Sequence, residues 1–93
     1  MDETTLIRTA REGDGDAFRT LFDAHNGRVF GLAYKYLRNR ADAEDVLQET
    51  FIRAYRAMDT FDPVKNADFG VWINRICVNC SIDALRRSRR RSA

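Results

Sequence analysis

The stretch Asp42 to Tyr55 reads DAEDVLQETFIRAY. Its small and apolar positions are Ala43, Val46, Leu47, Thr50, Phe51, Ala54 and Tyr55, continued by Met58. They recur at helical spacing, as one stripe of an amphipathic helix. Asn39, just upstream of Asp42, is a helix-start signal. The opposite side carries Asp42, Asp45, Glu49, Arg53 and Arg56. Acidic residues first and basic residues last suit the helix dipole. Glu49 and Arg53 form an i,i+4 pair in the favourable order, worth about 0.2–0.5 kcal/mol. Such a face is ordinarily solvated. Ile52 stands on or beside it with nothing of its own domain to pack on, and an apolar residue among charges also fits a docking surface for another protein.

Upstream, residues 3–12 form a short helix with Leu6, Ile7 and Ala10 inward, closed by Gly13. Asp14 or Asp16 caps the next helix. Phe18, Leu21, Phe22, His25, Val29, Leu32, Ala33, Tyr36 and Leu37 then hold helical phase. Asn26-Gly27 is a turn dipeptide inside that run and predicts a kink or short break. His25 is an amphipathic side chain at that bend. Leu37 to Arg40 makes a tight connection.

Downstream, the central helix runs to about Met58. Asp59 to Asp68 is a loop, with Pro63 and Asn66 against helix and Phe61 and Val64 adding apolar content. The last helix starts near Asp68, with Phe69, Trp72, Ile73, Ile76, Cys77, Cys80 and Ala84 as its core stripe. It continues into the arginine run. No strand pattern, repeat or low-complexity linker interrupts this order. The expected fold is all-α: a compact bundle of three main helices plus a short N-terminal helix.

Ninety-three residues with 44% hydrophobic content build one small core. No apolar run is long enough for a transmembrane helix, and charges flank Leu6 and Ile7, so no signal peptide is read and the expected location is cytoplasmic. The net charge of +2 conceals an asymmetry. Up to Leu85 there are 11 basic and 14 acidic residues, or −3; Arg86 to Arg91 then add five arginines, or +5. A basic end on an acidic body points to a polyanion there, or to a solubilising tail. Cys77 and Cys80 lack the βαβ setting of a thiol redox site and the further ligands of a zinc site, so they read as small core residues.

The last helix presents a second side with Asn74, Arg75, Val78, Asn79, Ile82, Asp83, Arg86 and Arg87. Amides and arginines along one side suit base edges and phosphates, and equally suit solvent. Phe61, Phe69 and Trp72 flank the loop and the helix start. Aromatic platforms beside cations hold single-stranded bases at about 1–3 kcal/mol each; core packing is the competing reading, favoured for Phe69 and Trp72.

The string DAEDVLQETFIRAYRAMDTFD resembles the most characteristic segment of the extracytoplasmic-function (ECF) sigma factors. These are small bacterial sigma subunits that give RNA polymerase its promoter choice. The resemblance runs from about Asp14 to Arg91 and covers the family's promoter-melting domain, region 2. It implies that residues 1–93 form a single region 2 domain. Residues 86–93 would then stand at the start of a linker to a second domain, region 4. It further implies that the loop and the outer side of the last helix bind the non-template strand of the −10 element, with one base flipped into a pocket within Phe61 to Phe69. Arg75-Ile76-Cys77-Val78-Asn79 is similar to the family's R-I-x-V-N string and makes Asn79 the base reader. Arg75, Arg86 and Arg87 would hold phosphates. Phe61, Lys65, Asn66, Trp72 and Asn74 complete the implied DNA-binding set, although Asn74 stands where many relatives carry an aromatic. Asp45, Gln48, Glu49, Ile52 and Arg53 would dock on the coiled-coil of the largest catalytic subunit of core RNA polymerase. An anti-sigma factor is an implied partner.

The expected function is therefore −10 recognition and strand melting without catalysis, cofactor or metal. No glycine-rich phosphate loop, nucleophile–base pair or metal cluster is read from the residues. The alternative is a helical protein-interaction module with a solubilising tail.

Overall fold

A computed structural model describes residues 2–62, 65 and 68–92, with Arg91 and Ser92 described by their backbone alone. Pro63, Val64 and Asn66, used in the sequence reading of the loop, lie outside the described residues. The elements are α1 (Glu3–Arg11), α2 (Gly15–Leu37), α3 (Arg40–Arg56), a short 3-10 turn (Met58–Thr60) and α4 (Phe69–Ser92). This is the expected all-α bundle, without a strand among the described residues.

Local chemistry sets each boundary. Asp2 caps α1 by accepting the Thr5 amide at 2.8 Å. Gly13 follows α1 with φ of 99°, a left-handed conformation that costs glycine nothing. Asp14, rather than Asp16, caps α2 through the amides of Asp16 and Ala17. Asn39 caps α3 by accepting the Asp42 amide at 3.0 Å. The tight connection before it is made by Arg38, which takes φ of 56° while its amide donates to the Tyr34 carbonyl at 2.8 Å.

The expected break at Asn26-Gly27 is absent: α2 is one helix of 23 residues. Mid-helix glycine costs about 0.5–1 kcal/mol relative to alanine. Against this, Leu21, His25, Val29 and Ala33 form an unbroken i,i+4 row that is buried. Burying a single Leu or Val stabilises by about 1.5–3 kcal/mol, so core burial overrides the turn signal.

The pairings fix the topology. Phe18 meets Tyr55 and Phe22 meets Phe51, so α2 and α3 are antiparallel. His25 meets Phe69, and the Cys77 thiol donates to the Val29 carbonyl at 3.6 Å, so α2 and α4 run parallel. Ala17, Leu21, Val29, Ala33, Ala43, Val46, Phe51, Ala54, Ile73 and Cys77 lie between these three helices as the core. α1 packs on α2 through Ile7 and Ala10. Two expectations for the apolar stripes fail. Tyr55 is 52% and Tyr36 39% exposed. Each has a polar tip that an apolar interior leaves without water, so the ring stays at the surface.

Candidate nucleic-acid and protein interfaces

Asp68 precedes α4, and its carboxylate accepts the amides of Gly70 at 2.7 Å and Val71 at 3.4 Å. Its first turns carry an aromatic cluster. Phe61 and Trp72 have centroids 5.0 Å apart, and Phe69 lies 5.6 Å from each. This corrects the placement of Phe61 as a base platform. The ring is 1% exposed and forms the floor of the cluster. Phe69 is buried too, and Trp72 is half-buried. Lys65 is exposed, and its amide donates to the Asp62 carboxylate at 3.4 Å. Asn66 lies outside the described residues.

Further along α4, Asn74, Arg75, Asn79, Arg86 and Arg87 are all exposed. At about 100° per residue, Arg75, Asn79, Ile82 and Arg86 fall on one line, while Asn74 falls on a different side. The line therefore alternates cation, amide, apolar group and cation. It begins one turn beyond Trp72. Positive side chains in the last turns of α4 also match the negative end of its dipole.

On α3, Asp45, Gln48 and Ile52 are exposed, and Glu49 and Arg53 are half-buried. Arg53 is not simply a free surface cation. Its Nε donates to Glu49 at 3.0 Å and its Nη2 donates to Asp83 of α4 at 3.2 Å. The hydrogen bond to Glu49, first among its interactions, raises the guanidinium pKa above its ordinary value. Arg53 thus ties α3 to α4 at the seam between the two faces.

Two grooves border α3. The first is floored by Phe18, Phe22 and Phe51 and rimmed by Gln48, Ile52, Tyr55 and Arg56. Ile52 is 46% exposed at its edge. Tyr55 and the aromatic floor of this groove were not among the expected docking residues. The available signal was that Tyr55 sits at the margin of the stripe, next to Ile52. The second groove has Leu37, Val46, Ala84 and Leu85 inside, with Asp42, Asp45 and Glu49 along one rim and Arg87 along the other.

Cys77 and Cys80 are free thiols inside the bundle. Burial pushes both pKa values up. A protonated, enclosed thiol is neither a nucleophile nor a metal ligand. Among the described residues, no cluster of His, Cys, Asp and Glu has the makings of a metal site. None of the described helices is long and apolar enough to cross a membrane.

This geometry defines a class: a small helical domain with a cationic, amide-bearing helix on one side and an acidic and apolar, grooved surface on another. The Sigma-70 region 2 family profile matches residues 21–91, and the chain belongs to that family. Its relatives are ECF sigma factors. It is 40% identical over 83 residues to the ECF RNA polymerase sigma factor SigW of Bacillus subtilis, covering 89% of this chain and 43% of SigW. It is 37% identical to the ECF RNA polymerase sigma factor BldN of Streptomyces coelicolor, covering 90% of this chain and 31% of BldN. The chain thus spans less than half the length of these relatives. Among solved structures, it is similar to an engineered region 2 of sigmaE, determined by NMR in complex with GTAAAA. The TM-score is 0.90 and the identity 36%, over 98% of this chain and 93% of that one.

Proposed function

We propose that this domain recognises the promoter −10 element as a single strand and helps to melt it, as the region 2 part of an ECF sigma factor bound to core RNA polymerase. The observation that carries this reading is the line of α4 that exposes Arg75, Asn79 and Arg86 with half-buried Ile82 between them, in a domain whose likeness to the GTAAAA-bound region 2 of sigmaE extends over 98% of the chain. Asn79 has both the donor and the acceptor needed to read a base edge. Arg75, Arg86 and Arg87 supply phosphate contacts that fix register without reading sequence. Lys65 and Asn66 shortly precede α4 in the sequence. An extruded base costs a few kcal/mol of unstacking, and contacts at the loop and Trp72 offset it. Strand opening is driven by this binding, with no nucleotide consumed.

The polymerase side of the reading uses Asp45, Gln48, Glu49, Ile52 and Arg53, extended by Tyr55. An apolar groove beside an acidic rim fits an amphipathic, basic partner helix, as a coiled-coil of the polymerase's largest subunit would present. An anti-sigma factor that covers both faces is the corresponding regulator.

Fluorescence anisotropy with labelled single strands tests the DNA side. A −10-like strand such as GTAAAA is compared with scrambled strands of equal composition. Asn79→Ala is expected to abolish the preference, and Arg86→Ala to weaken every strand alike. Sequence-blind binding carried only by the arginine run would replace this reading with a plain protein-interaction module. Capture of core polymerase, with and without Ile52→Asp, tests the other side.

A further inference from the structure

His25 is the only histidine of the chain and lies buried, 8% exposed, where three helices meet. Its ring has three neighbours. Nε2 faces the Glu3 carboxylate of α1 at 3.2 Å, and a carboxylate only accepts, so the ring nitrogen donates. The ring lies 5.1 Å from Phe69, inclined at 57°. It also closes on the backbone of α4. A Cβ added at Gly70 would stand 3.6 Å from Cε1 and 3.8 Å from Nδ1 of His25, and 3.1 Å from the Asp68 carboxylate. The imidazole thus packs at van der Waals range over the first turn of α4, beside the Asp68 carboxylate that caps it.

An apolar side chain would fill this space without a hydrogen bond. The χ2 angle of a histidine is broad on its own. The bond to Glu3 fixes it, and with it the ring plane against which Phe69 rests. Phe69 in turn supports Trp72, the half-buried aromatic at the start of the Arg75–Asn79–Arg86 line.

We propose that His25, oriented by Glu3, is a positioning residue for the base-reading end of α4: it sets where Phe69 and Trp72 stand and so sharpens sequence preference without touching DNA. The proposal rests on the nucleic-acid reading of α4. Residues that support a site hold its contact groups in the geometry that recognition needs, and a loose support displaces them.

The test uses the 93-residue chain with His25→Leu, His25→Gln and Glu3→Ala, the last removing the acceptor that orients the ring. Two readouts need no DNA. One is hydrogen exchange at the amides of residues 69–73. The other is the emission of Trp72, the only tryptophan. The third is the affinity ratio of GTAAAA to its scrambled counterpart, measured well below the melting temperature. In His25→Leu, exchange at 69–73 accelerates relative to α3, Trp72 emission shifts, and the ratio falls about tenfold, comparable to one stacked base lost. Affinity for the scrambled strand and its salt dependence stay unchanged. His25→Gln, whose amide still donates towards Glu3, retains part of the ratio. Glu3→Ala, which keeps the imidazole but frees its ring plane, shifts exchange, emission and ratio in the same direction as His25→Leu. Uniformly faster exchange with an unchanged ratio would overturn the proposal and leave His25 as core packing. A wild-type chain with no preference would defeat the DNA reading instead, and the exchange and emission data would still decide whether His25 places the first turns of α4.

Discussion

Salt dependence separates the roles assigned along α4. Arg75, Arg86 and Arg87 are exposed cations on a helix whose opposite side, through Phe69, Ile73, Cys77 and Cys80, lies in the core. Each phosphate neutralised on a single strand contributes about −0.7 to the slope of log affinity against log salt, so three contacts give about −2.1. Raising salt from about 50 to about 200 mM should then weaken binding roughly 18-fold. Arg86→Ala lowers the slope to about −1.4, and the same salt step then costs roughly sevenfold, for any sequence. Asn79→Ala acts differently. It carries no charge, so the slope stays at the wild-type value. The preference for the −10-like strand falls by about 5- to 150-fold, the range for a lost bidentate base contact. Anisotropy titrations at four salt concentrations with two strands measure both quantities. A wild-type slope near zero would refute the phosphate assignment. A changed slope in Asn79→Ala would refute its assignment as a reader.

Other perturbations test the fold that carries these groups. Phe51 is buried against Phe22 at 4.0 Å, so Phe51→Ala should cost about 3–5 kcal/mol in urea unfolding. Arg38 occupies left-handed backbone, and Arg38→Gly should stabilise the chain by about 0.5–1 kcal/mol, seen as a higher melting temperature. Cys77 and Cys80 should resist alkylation at neutral pH until the chain unfolds, because burial raises both thiol pKa values. The linked stability has a definite sign. Folding favours the protonated thiols, so this stabilisation is complete below the ordinary thiol value of 9.0 and is lost as pH rises through the raised folded values. Cys77→Ala should therefore flatten the alkaline limb of the stability profile.

The helices were legible because burial and period agree in this chain. Asn39, Asp14 and Gly13 each mark a boundary with local chemistry, and the structure uses all three. Asn26-Gly27 misleads because a local turn signal carries no information about the row of core side chains that crosses it. Tyr55 misleads in the opposite sense: its position lies on the margin of the apolar stripe, and only the packing of Phe18 and Phe51 decides whether the ring is covered. Phe61 is the instructive case for the site. An aromatic beside a basic helix reads as a stacking platform, but Phe69 and Trp72 close over it. His25 shows the same limit, because its partners come from α1 and α4, at distances in sequence that no local pattern spans.

The seam at Arg53 determines how the two faces can be told apart experimentally. Glu49 lies on the face proposed to dock, yet its partner Arg53 also holds Asp83, one turn from Asn79 and Arg86 on α4. All three side chains are more than a third exposed, so the tie contributes under about 1 kcal/mol to stability. Its geometric effect on α4 is the greater concern. Glu49→Lys places a cation against Arg53 and disturbs Asp83, so it should weaken polymerase capture and alter DNA binding together. Ile52→Asp avoids this, since Ile52 is 46% exposed and lies at the groove edge, away from the seam. It should change stability by less than about 0.5 kcal/mol, abolish capture of core polymerase, and leave both affinity and preference for single strands unchanged. Intact capture by Ile52→Asp would remove α3's outer face from the docking assignment. Lost DNA preference in the same variant would mean that the two faces are one cooperative surface.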